Sequence, residues 1–260
     1  MGFFKAYDMR GTYDVDFDFA TVYEVGKALV EVVGGSRWLV GRDCRVTSEK
    51  VHDALIEGLS EAGAQVTDIG LCTTPMVYFF TAQDDFDGSV MVTASHNPPS
   101  DNGLKVSMKT ALPVGYANGL NHVEKIVTDR LLRVDRKAYT PKPSPKVDNS
   151  VYLKRYVEWM RSRGGEISST LKYAVDCSNG MSSLLVRDLF PGAVVINDVL
   201  DGTFPNHSPN PLKSEAREQI ANLVREKGLD FGIIFDGDAD RAMFVDERGE
   251  LKKRSAAARE

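Results

Sequence analysis

The sequence predicts an α/β fold in two similar domains. Short apolar strand-like runs alternate with segments of helical period, and the same alternation starts again beyond a proline-rich stretch near residue 140. In layered folds of this kind functional loops gather at one end of the strands. At 260 residues the chain is long enough for two domains, each burying its own core.

In order along the chain, apolar residues from Phe19 to Val33 recur at helical spacing until Gly34-Gly35 stops them. A short strand follows at 38–40. Thr47 or Ser48 can cap a second helix with Val51, Ala54, Leu55, Leu59 and Ala62 on its apolar face, ended by Gly63. Strands are expected at 64–69 and 89–93, the latter delivering the chain to the polar loop Ser95 to Asn102. The segment Tyr139-Thr-Pro-Lys-Pro-Ser-Pro-Lys146 has prolines at alternate positions, so it should be extended, semi-rigid and outside any core. This sets expected boundaries at 1–140, a linker at 141–150, a second domain at 151–251 and an atypical tail at 252–260. The second domain should contain a helix at 152–161, strands at 172–176 and 194–197, and a helix at 214–227. Strands at 231–235 and 242–245 flank its last loop.

The apolar share of 42% and charged share of 27% are those of a soluble globular protein. No stretch is apolar for long enough to span a bilayer and no signal peptide opens the chain, so a cytoplasmic location without membrane contact is expected. A net charge of -5 argues against a nucleic-acid partner. Cys44, Cys72 and Cys177 are widely spaced and read as neutral thiols.

Two strings can carry chemistry. Thr93-Ala-Ser-His-Asn-Pro98 is followed by Asn102-Gly-Leu-Lys105. A serine hydroxyl needs a base, a metal or nearby cations to act as a nucleophile, and His96 and Lys105 are candidates to provide them. Asp236-Gly-Asp-Ala-Asp-Arg241 follows the apolar run 231–235. Its alternate carboxylates can turn inward on one hard divalent cation, Gly237 allows a tight backbone path, and Arg241 offers a planar fork to a phosphate. Each string alone also fits an ordinary polar turn. The cationic turn Gly41-Arg-Asp-Cys-Arg45 reads as a structural salt bridge, His207 as a structural loop histidine, and His52 and His122 as helix-surface residues without a role.

Taken together and in order, Phe4-Lys-Ala-Tyr-Asp-Met-Arg-Gly11, 93–98, 102–105, Phe204-Pro-Asn-His-Ser-Pro-Asn-Pro211 and 236–241 resemble the α-D-phosphohexomutase family over nearly the whole chain. Thr93 and the Tyr7-Asp8 pair are closer to its phosphomannomutase and phosphoglucomutase members than to phosphoglucosamine mutases. The resemblance implies two similar three-layer α/β/α domains with mixed sheets. It implies that Ser95 is carried as phosphoserine, that Asp236, Asp238 and Asp240 bind Mg²⁺, and that Ser95 completes the metal's shell. The implied reaction interconverts hexose 6-phosphate and hexose 1-phosphate through a hexose 1,6-bisphosphate, which is also the activator. The expected partner is a phosphorylated hexose. Arg10, Lys105 and Arg241 should surround the transferring group, with Lys105 or His96 moving the sugar hydroxyl's proton; cations and a metal around Lys105 could draw it toward neutrality.

Complete members of that family carry four domains. The sugar-selecting Gly-Glu loop and the arginine- and serine-rich loop that grips the non-reacting phosphate do not appear in these 260 residues. The expectation is a truncated or cleaved chain, or a disrupted reading frame, poorly active alone. Other readings are a non-catalytic two-domain fragment and a metal-dependent sugar phosphatase.

Overall fold

The computed structural model describes residues 2–133, 135–164 and 168–252, so most of the atypical tail lies outside the described residues. The first half comprises β1 (Met9–Thr12), α1 (Phe19–Val33), β2 (Arg37–Arg42), α2 (Ser48–Glu61), β3 (Gln65–Leu71), α3 (Thr74–Gln83), β4 (Gly88–Val92), β5 (Asp101–Met108), β6 (Leu112–Pro113) and α4 (Leu120–Leu131). The second comprises α5 (Ser150–Arg163), β7 (Tyr173–Asp176), α6 (Val186–Leu189), β8 (Val194–Ile196), α7 (Ser214–Lys227), β9 (Phe231–Phe235) and β10 (Ala242–Asp246).

The first sheet has the order β1-β5-β4-β2-β3, with β6 pairing β5. It is mixed because β2 runs parallel to β3 and β4 whereas β5 is antiparallel to β1 and β4. Strand alternation sends Trp38, Val40, Val90 and Val92 to one face, under α1, α2 and α4, and Leu39 and Met91 to the other, under α3 and α5. Each fully enclosed Leu, Val or Phe in these layers contributes about 1.5–3 kcal/mol relative to exposure. The second sheet, β10-β9-β7-β8, is also mixed. α7 covers one face through Ile220 and Val224, while Val186 of α6 packs on the other with Tyr173, Val175 and Ile233. Two three-layer α/β/α units with mixed sheets result, as expected.

α1 spans the residues its periodicity predicts, and Asp18 caps it by accepting from the Thr21 amide at 2.8 Å. α3 is the helix that periodicity does not reveal. Its sequence, Thr-Pro-Met-Val-Tyr-Phe-Phe-Thr-Ala-Gln, has no polar stripe because the sheet covers one side and α5 another. Thr47 precedes α2 but makes no side-chain capping bond.

The proline-rich segment is anchored along α2. Glu57 accepts from the Tyr139 hydroxyl at 2.8 Å and the Lys142 amide at 3.3 Å, and Asp53 accepts from the Ser144 amide at 3.0 Å. α5 then packs Tyr156 and Val157 on Met76, Val77 and Phe80 of the first unit and on Leu185 of the second. His52, expected on a helix surface, is buried at 3% exposure with Nε2 2.9 Å from Asp68 Oδ1. α2 turns this side toward β3, where Asp68 is the available partner. The burial of Cys72 and Cys177 raises both thiols and keeps them neutral.

α1 and α2 cross at the glycines Gly26 and Gly58, and a Cβ at Gly58 would stand 2.1 Å from the Tyr23 carbonyl oxygen. Gly58→Ala is therefore expected to destabilise the protein by about 1–3 kcal/mol, read as a lower urea midpoint at unchanged slope.

Candidate phosphoryl-transfer site

Two loops from different sheets meet to make the site. The first leaves β4 at Val92, where Thr93 receives support from both sides: its amide donates to Gly103 O at 3.0 Å and its Oγ1 accepts from the Ser95 amide at 2.8 Å. Ser95 adopts a left-handed backbone, φ 54°, and is 1% exposed. The second loop, Asp236 to Arg241, turns back between β9 and β10, with Ala239 also left-handed at φ 61°.

These loops touch through Ser95 itself. Its Oγ donates to Asp236 Oδ2 at 2.9 Å and accepts from Arg241 Nη2 at 2.7 Å, while His96 Nδ1 lies 3.4 Å away. Arg241 Nη2 also faces His96 Nδ1 and pairs with Asp236 at 2.9 Å. Gly237, expected for a tight turn, serves the approach of the loops instead: a Cβ there would meet the Ser95 carbonyl oxygen at 2.6 Å.

The carboxylates of Asp236, Asp238 and Asp240 each offer an oxygen within 4.8 Å of the others, and the first two are fully buried. Lys105, carried by β5, lies across this cluster with Nζ 2.6 Å from Asp238 and 2.5 Å from Asp240. Burial works against its ammonium, but the two carboxylates outweigh it and raise its pKa. Burial, with the charges of Asp238 and Asp240, pushes Asp236 up to about 8. Burial acts the same way on Asp238, yet Lys105 and its hydrogen-bond donors bring it down to about 2. His96 is held down to about 4 by burial and by the positive charges of Arg241 and Arg10, which leaves Nδ1 an acceptor at neutral pH.

The donor set suits a hard divalent cation: clustered carboxylate oxygens, of which Asp238 Oδ1 is buried without any hydrogen-bond partner. Such a cation would offset the burial and the repulsion that raise Asp236. Thr74, at the start of α3, was not apparent from sequence. Its amide donates to Asp238 O at 3.1 Å and its hydroxyl to Asp238 Oδ2 at 2.6 Å. No local motif announces it, because its partner lies 164 residues away.

β1 pairs Arg10 opposite Gly103 and so brings it to the rim. Its guanidinium donates to Asn97 Oδ1 at 3.1 Å and to Asp8 at 2.5 Å, facing a cavity of about 480 Å³ lined also by Tyr7 and Asp101. The structure thus gathers Ser95, His96, Lys105, Arg241 and the three aspartates, with Arg10 reaching the loop through Asn97. His207 stands apart, its ring between Asp176 at 3.0 Å and the Ser208 carbonyl at 2.9 Å, which fits a structural part.

The phosphoglucomutase/phosphomannomutase alpha/beta/alpha domain I model matches residues 1–132, and the domain II model matches residues 151–249. The chain belongs to the phosphoglucomutase/phosphomannomutase family. It is 34% identical to a phosphomannomutase of Escherichia coli over 95% of this chain and 56% of that protein. A phosphomannomutase of Methanocaldococcus jannaschii is also 34% identical, over 95% of this chain and 55% of its own length. Among solved structures, a family protein from Burkholderia thailandensis superposes with a TM-score of 0.80 at 30% identity, over 96% of this chain and 56% of that one. The chain spans about half the length of the curated relatives it matches.

The raised Asp236 pKa sets the sign of a pH effect. Between its ordinary value of 3.8 and about 8, the folded, cation-free protein holds a proton that the unfolded chain has lost, so this group's contribution to stability falls as pH rises. A bound cation must displace that proton. Mg²⁺ is expected to bind more tightly from pH 6 to pH 8, by up to about tenfold per unit. Titration calorimetry should show this slope in the native protein and a flattened one in Asp236→Asn.

Proposed function

We propose that this chain carries the phosphoryl-donor half of a phosphohexomutase of the phosphomannomutase/phosphoglucomutase type. The whole enzyme would interconvert hexose 6-phosphate and hexose 1-phosphate through phosphorylated Ser95 and a hexose 1,6-bisphosphate, which would also load the serine as activator. The observation that carries this reading is Ser95 Oγ lying 2.9 Å from Asp236 and 2.7 Å from Arg241, a hydroxyl enclosed between the acidic cluster and a guanidinium. A merely structural serine has no need of that company.

In the loading step, the Ser95 Oγ–P bond forms as the P–O bond to the sugar breaks. The serine proton leaves toward His96 Nδ1, the nearby acceptor that is not a metal ligand, and is passed to the departing sugar oxygen, which ends as a hydroxyl. Arg241 Nη2 already addresses Ser95 Oγ, so its charge would lie beside the transferring group. Lys105 remains an ammonium and orders Asp238 and Asp240. Mg²⁺ held by Asp236, Asp238 and Asp240 would neutralise charge on the phosphoryl oxygens when bound. His96, kept neutral, is better suited than the charged Lys105 to accept a proton. The free thiols of Cys44, Cys72 and Cys177 support a reducing, cytoplasmic setting.

Incubation with glucose 1,6-bisphosphate and Mg²⁺ should place one phosphate on Ser95, read by mass spectrometry, and Ser95→Ala should take none. Label persisting on that variant would overturn the assignment, and rapid release of inorganic phosphate would favour a sugar phosphatase. Arg241→Lys should slow labelling by about 10²-fold, since it loses the planar fork. The chain spans about half the length of the curated relatives it matches. The 260-residue chain assayed alone should therefore convert mannose 1-phosphate or glucose 1-phosphate at least about 10²-fold more slowly than a full-length relative.

A further inference from the structure

We propose that Arg45 is the positioning residue that holds the Ser95 backbone in its reactive shape and ties it to the second unit. This rests on the reading of Ser95 as the phosphoryl acceptor and extends it to a residue outside the reacting group. Arg45 closes the turn Gly41-Arg-Asp-Cys-Arg45 after β2, and is 2% exposed. From its sequence the turn reads as a structural salt bridge, and that pair is present: Arg45 Nε stands 3.2 Å from Asp43 Oδ2.

The rest of the guanidinium does something else. Nη2 donates to Ser95 O and Asn97 O, each at 2.8 Å, and Nη1 donates to Pro98 O at 2.6 Å and Asp101 O at 3.0 Å. Four carbonyls of a single loop therefore turn inward on one buried cation. Wrapping the backbone this way directs the Ser95 carbonyl at Arg45 while its side chain meets Asp236 and Arg241. The left-handed Ser95 conformation, φ 54°, is costly for a residue with a Cβ, and charge-assisted bonds of this kind can offset it. A lysine carries the charge but not the planar fork that meets four splayed acceptors.

Arg45 is itself held. Asp43 Oδ1 accepts from the Arg45 amide at 3.0 Å and from Ser48 Oγ at 2.5 Å. The guanidinium carbon lies 5.0 Å from the centre of the Phe204 ring, which comes from the second unit and abuts the metal loop at Gly237. One side chain thereby touches the serine loop directly and the aspartate loop through a single ring. Phosphoryl transfer depends on alignment, and displacement of about 1 Å can cost about 10²-fold in rate.

Arg45→Lys in the full chain tests the assignment through three readouts. Hydrogen exchange of amides 95–101 should speed up by about tenfold or more, reporting the loosened loop. Labelling of Ser95 by glucose 1,6-bisphosphate at saturation should slow by about 30-fold or more, while the half-saturating donor concentration and the Mg²⁺ dissociation constant move by less than about threefold. Equal losses in Mg²⁺ affinity and labelling would mark a general structural role and overturn the proposal, as would loop exchange or labelling within about threefold of the native chain. Should the native chain take no label, the reading of Ser95 fails, and loop exchange alone still decides whether Arg45 sets this backbone. Should Arg45→Lys not fold, Phe204→Leu is expected to give the same changes at smaller size, and unchanged loop exchange there would overturn the proposal.

Discussion

The contact between Ser95 and the loop of Asp236 to Arg241 is the constraint around which the rest of the structure is arranged. The serine sits at the end of a strand in one sheet, and its partners sit at the end of a strand in another, 141 residues further along the chain. A hydroxyl bonded at once to a carboxylate and a guanidinium, nearly closed to solvent, requires both loops to approach closely. The absent side chain at Gly237 provides the room, and the Thr74–Asp238 pair provides a second fastening point. α5, shared between Phe80 of one unit and Leu185 of the other, supplies apolar adhesion behind the loops.

That approach creates an electrostatic problem as well as a site. Burial away from water, together with the repulsion of Asp238 and Asp240, drives Asp236 toward its protonated form. Lys105 of β5 and Arg241, next to β10, offset part of this charge. The balance remains incomplete, as the unpartnered Asp238 Oδ1 indicates. An arrangement left short of positive charge at a buried oxygen is prepared for a cation, at a cost to the stability of the cation-free protein.

Segments remote from the chemistry contribute by limiting freedom. The proline-rich stretch is anchored to Asp53 and Glu57 of α2, so the chain enters α5 from a fixed direction. Arg45, with Asp43 behind it and Phe204 beneath it, removes freedom from the serine loop at the other end. In both places backbone groups that would otherwise face water are bound by buried or half-buried side chains, which converts loops into positioned parts.

The sequence by itself determined the α/β class, the helices at 19–33 and 214–227, the strand at 231–235 and the two polar strings that hold Ser95 and the three aspartates. Those features depend on local periodicity or on residue types packed into short strings, and both survive in one dimension. Only the tertiary structure decided that α3 is a helix, because an element covered on several sides carries no polar stripe to report it. The same holds for buried His52, for Thr74, and for Arg45 with its four carbonyls. Their meaning lies in partners contributed by distant segments, and a linear pattern holds no record of which segments will meet. The sign of the Lys105 shift has the same origin, since the two carboxylates that hold it charged arrive from a loop of the other sheet.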